Sequence, residues 1–175
     1  QLSSQSTDSN CNDDQTFSHY LVRRLPAEVM LDAICQVTGV PEPYPGHRPG
    51  ARAIELWDNQ LPSYFLDTFG RSLRESPCEC GSSGEPTMAQ ALHLLNAPEI
   101  EAKIQNDSGL VSWLSKSDYD AGKLIEHLAL ITVNRRPNQR ERETGARLLQ
   151  NSSRRQGIED FLWVMMNSYD FLFVK

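Results

Sequence analysis

Apolar residues recur at helical spacing through most of the chain. Over residues 26–38, Val29, Ala33 and Val37 form a stripe flanked by Met30 and Ile34. That pattern predicts a helix packed on one side, opened by Pro26 and stopped by Gly39. A short helix follows at 63–69, with Tyr64, Phe65 and Phe69 as its apolar side, and Gly70 ends it. Over 86–96, Met88, Ala91, Leu92 and Leu95 repeat at i, i+3, i+4 and i+7, and Pro98 opens another short helix to about 105. Ser117 reads as the N-cap of a helix whose Ala121, Leu124, Ile125, Leu128 and Thr132 share a face. Asn138 and Glu141 form a capping-box pair opening a mostly polar helix to about 150. The closing stretch, 156–173, carries Ile158, Phe161, Leu162, Met165, Tyr169 and Leu172 on one side and Trp163, Met166 and Phe173 on another. A helix apolar over most of its girth belongs at the centre of the fold.

Two stretches break the pattern. Residues 1–16, QLSSQSTDSNCNDDQT, have no apolar period and read as a flexible lead-in. Residues 41–58 open with four prolines and two glycines in PEPYPGHRPG and continue as ARAIELW. Helix is excluded through the prolines, so this is an ordered loop or short strand laid over the helices, with Tyr44 and Trp57 as its anchors. Strand-like alternation is scarce elsewhere. The expected fold is mainly α: an irregular bundle of about six or seven helices with one Pro-rich non-helical excursion at 41–58. Residues 17–175 read as a single helical domain, and both chain ends look like cuts in a larger protein.

Composition alters this picture little. The chain has 175 residues, 39% of them hydrophobic, which suits one core. Its longest apolar runs, such as LALITV at 128–133, fall far short of the roughly 20 residues a membrane-spanning helix needs. The net charge of −6 is uneven, since residues 134–175 carry eight Lys/Arg against five Asp/Glu and the remainder nine against eighteen. Arg135, Arg136, Arg140, Arg142, Arg147, Arg154 and Arg155 interleave with acids and with no aromatic residue, the pattern of a solvated face rather than a nucleic-acid surface.

Candidate chemistry collects between Phe69 and Asn96. Cys78-Glu79-Cys80 sits before a Gly-rich bend and a helix bearing His93, so Cys78, Cys80 and His93 are the candidate metal ligands. One Cys-x-Cys supplies two ligands where structural zinc sites use four, and no Cys-x-x-Cys-His attaches haem here. The same thiols beside His93 are the one candidate nucleophile–base pair, with Glu79 or Asp67 to orient the imidazole. Arg71 and Arg74 would lower a thiol pKa or bond carbonyls at a helix end. The commoner role for such a triplet is to brace a bend, reduced or bridged to Cys11 or Cys35, and four cysteines permit three complete pairings. His47, between Gly46 and Arg48, reads as a surface imidazole. The balance is against an enzyme.

Five segments together resemble one family. They are RRLPAEVMLDAICQVTGVPE (23–42), GARAIELWD (50–58), SYFLDTFGRSLRESPCEC (63–80), EPTMAQALHLLNAPEIEAKI (85–104) and FLWVMMNSYDFLF (161–173). The chain is similar to the C-terminal part of the planctomycete surface domain one family, domain of unknown function 1553. Gly81-Ser82 stands where a charged pair is expected after the triplet, and His127-Leu128 where Leu-Tyr is usual. The resemblance carries no established activity. It implies a domain ending a large exported, periplasmic or envelope-associated bacterial protein, partnered by the other domains of its parent. Haem would then lie only in an upstream cytochrome c domain, with no cofactor in this segment beyond a possible metal. The expected function is a non-catalytic structural or interaction module. The alternative is a metal or redox accessory site at Cys78, Cys80 and His93 serving that cytochrome c domain.

Overall fold

The computed structural model describes residues 5, 7–13, 15, 16, 18–57, 61–71, 90 and 97–174. The fold is mainly α, with eight helices among the described residues and one two-stranded sheet. Helix α1 spans Ala27–Thr38. Pro26 has helical φ built in and its carbonyl accepts from Met30 N at 2.9 Å. Gly39 ends the helix in the left-handed region, at φ 72°, where a side chain would be strained. The buried stripe is Met30, Leu31, Ile34 and Val37, turned slightly from the expected Val29–Ala33–Val37 line, and it also buries Asp32.

The Pro-rich excursion is irregular, as its prolines require. Its ARAIELW stretch, expected to be extended, contains a 3-10 turn at Ala53–Glu55. The carboxylate of Asp32 pins that turn to α1, accepting from Ala53 N at 2.6 Å and from Ile54 N at 3.2 Å. Of the two expected anchors, Tyr44 packs against the core, whereas Trp57 is 79% exposed. With Asp32 holding the turn, the loop does not need the indole.

Helix α2, Tyr64–Thr68, is capped by Ser63, whose hydroxyl accepts from Leu66 N. Phe65 and Phe69 stack at 4.4 Å and are buried, while Tyr64 faces outward. Helix α3, Pro98–Ile104, follows. The helix expected at 86–96 lies outside the described residues, apart from Gln90, which is helical and buried. Helix α4, Leu110–Ser115, comes next. Helix α5, Ala121–Val133, starts later than Ser117, because Asp120 is its cap and accepts from Lys123 N at 2.8 Å. The Ser117 hydroxyl instead donates to Leu114 O at the end of α4.

Helix α6, Gln139–Asn151, opens with the expected capping box between Asn138 and Glu141. Helix α7, Arg154–Met166, is the centre of the fold and packs against α3, α4, α5 and α6. It buries Ile158, Phe161, Leu162, Met165 and Met166. Two glycines let its neighbours approach. A Cβ on Gly157 would lie 2.9 Å from Leu149 Cα, and one on Gly145 of α6 would lie 2.7 Å from Ile125 Cγ1.

The closing helix does not run unbroken to Phe173. Ser168 Oγ and Asn167 Nδ2 donate back to Met165 O and Trp163 O, drawing side-chain donors onto the last turn and ending α7. A short helix α8, Tyr169–Leu172, follows. Then Phe173–Val174 (β2) pairs antiparallel with Arg23–Arg24 (β1), so the two ends of the described core are clasped together. Buried apolar residues from Ala27 to Phe171 form one cluster. Within 1–16, the described residues make exposed turns closed by local bonds, such as Asn10 N to Thr7 O at 3.0 Å.

Candidate functional site

The candidate ligands Cys78, Cys80 and His93, with Glu79, Arg74, Gly81 and Ser82, lie outside the described residues. Their described neighbours have structural partners. Arg71 Nε pairs with Asp67 Oδ1 at 2.9 Å while its Nη1 donates to Leu61 O at 2.7 Å, tying α2 to the segment before it. Arg71 therefore bonds a carbonyl, but one in the segment before α2 rather than at the end of a helix. Cys11 and Cys35 are free thiols. Among the described residues, no group of three or more His, Cys, Asp and Glu side chains is placed to hold a metal ion.

The structure brings together a cluster that sequence reasoning missed. Lys103 of α3 is 8% exposed, and its ammonium donates to Val40 O at 3.2 Å and pairs with Glu42 at 2.8 Å. This pair fastens α3 to the start of the Pro-rich loop. Burial raises the pKa of the Cys35 thiol on the adjoining face of α1, and the nearby Lys103 charge offsets part of that rise. A thiol held protonated is a poor nucleophile. Tyr44, from the same loop, has a buried hydroxyl with no hydrogen-bond partner in the structure. Its pKa is raised by burial first, then by the negative charges that Cys35, Glu42 and Asp32 can carry. The available signal was local: Lys103 stands three residues after Ile100 and beside Ile104, on the inward face of α3.

Two clefts flank this cluster. One, of 370 Å³, opens between α1 and the loop beside Asp32 and Cys35. The other, of 240 Å³, runs between the loop, α2 and α3, with Tyr64 among its lining residues. His47 is partly exposed between exposed neighbours, and its Nδ1 lies 3.3 Å from Pro45 O.

On α4 and α5 the ring of Trp113 meets Tyr119 at 6.2 Å and His127 at 6.3 Å, with Tyr119 and His127 5.7 Å apart. At these separations the rings touch one another, leaving no cage between them, and so form a platform. Trp113 is 56% exposed, and Leu130 and Ile131 of α5 are exposed too. Of the seven arginines expected on a solvated face, Arg136, Arg140, Arg142 and Arg147 are exposed, while Arg135, Arg154 and Arg155 are drawn into bonds. Arg135 pairs with Glu141 at 2.7 Å and also with Asp170. Arg154 donates to Ser117 O and Tyr119 O, and Arg155 binds Asp107, Glu159 and Gln105 O. Each of these joins elements distant in sequence.

No helix among the described residues is long and apolar enough to cross a membrane. No solved structure matches the chain. The chain is similar to the small ribosomal subunit protein uS2 of Phenylobacterium zucineum (strain HLK1), 33% identical over 81 residues, or 45% of this chain and 26% of that protein. The chain therefore spans about a quarter of that relative's length. A family model described as "PSD1: Protein of unknown function (DUF1553)" matches residues 1–149, taking in the lead-in and stopping before the 161–173 segment. With most of its length matched, the chain belongs to that DUF1553 family.

Proposed function

We propose that this chain is a non-catalytic helical interaction module within a larger exported or envelope-associated protein, docking against other domains of its parent. One observation carries the reading. The charged groups named above are held in bonds that fix the fold, while Trp113, braced by the partly buried Tyr119 and His127, presents apolar surface outward, as do Leu130 and Ile131. Exposed aromatic clusters of this kind mark contact surfaces. Lys116 and Lys123 lie between the platform residues in sequence and are exposed, so they are suitable for cross-linking. The test is lysine cross-linking with mass spectrometry on the full-length parent. Cross-links from Lys116 or Lys123 to another domain, lost on Trp113→Ala with Leu130→Glu, support docking. Cross-links confined to this chain overturn it.

A second reading rests on the Cys78-Glu79-Cys80 triplet and His93 as they stand in the sequence. In that reading Cys78, Cys80 and His93 bind a metal or serve redox chemistry for an upstream haem domain. Elemental analysis decides it. A stoichiometric metal lost in Cys78→Ser/Cys80→Ser supports the site, and metal-free protein with both thiols oxidised removes it.

A further inference from the structure

We draw no further inference here: the strongest candidate, the 370 Å³ cleft between α1 and the Pro-rich loop lined by Asp32, Cys35 and Arg52, rests on a lone cysteine, since Asp32 is bonded to the Ala53 and Ile54 amides and paired with Arg52, and no other described residue there points to a ligand.

Discussion

The layer built from α4 to α8 and the layer built from α1, the Pro-rich loop, α2 and α3 solve the same problem differently. In the first, regular helices interdigitate around α7, two glycines allow close approach, and Arg135, Arg154 and Arg155 bond the connections. In the second, an irregular loop covers α1 and is held at few points: Asp32 under the 3-10 turn, Lys103 against Glu42, and Tyr44 packed inward with its hydroxyl unpartnered. Both described clefts flank this second layer. Helices satisfy their own backbone groups and can pack tightly. A Pro-rich loop lacks donors at its prolines, depends on scattered side chains, and leaves gaps.

The comparison can be broken by substitutions of graded size, each read by chemical denaturation. Phe161→Ala, which empties a fully buried position in α7, should cost about 4 kcal/mol. A loss under about 1 kcal/mol would mean that the dense layer is not dense. Gly157→Ala places a methyl against the backbone of Leu149 and Leu148. The strain should outweigh the helix-propensity gain and cost about 2 kcal/mol net.

Arg135→Met should cost about 1.5 kcal/mol, discounted because the guanidinium is partly solvated. It also has a pH signature. The Arg135 hydrogen bond chiefly holds the Glu141 carboxyl below its ordinary value of 4.5. A carboxyl depressed on folding stabilises above its unfolded pKa, and that contribution is lost as pH falls below about 4.5. The variant's stability should therefore decline less steeply in acid than the parent's, and parallel acid profiles would remove the clamp. In the other layer, Tyr44→Phe deletes a hydroxyl without a partner and should be neutral or stabilising by up to about 1 kcal/mol. A clear destabilisation would show that the loop layer is as fully bonded as the helical one.

Local signals were legible. The stripes of α1, α5 and α7 follow from spacing, and the Asn138–Glu141 box from two residues three apart. Gly39 announces its own left-handed turn. Features that need distant partners were not legible. Asp32 looks like a solvent position until Ala53 and Ile54, 21 and 22 residues on, present their amides. The Arg135–Asp170 pair spans 35 residues, and strands of two residues carry no period. The LVSWLS run of α4 is too short and apolar for spacing to separate helix from strand. The break at Asn167 and Ser168 depends on side chains folding back onto α7, which the apolar pattern around them conceals. Of the candidate site, the Cys78–Cys80 triplet was conspicuous as a motif. The Lys103–Glu42–Tyr44 cluster stayed hidden because a loop brings its members together from different elements.

Residue-resolved amide hydrogen exchange under native conditions compares the two layers most directly. With α7 as the hub, amides of Ile158, Phe161, Leu162 and Met165 should exchange only through global unfolding, tracking denaturant stability, while those of 44–56 exchange faster through local opening. Exchange from α7 that is as fast as, or faster than, exchange from the Pro-rich loop would contradict a fold organised around that helix.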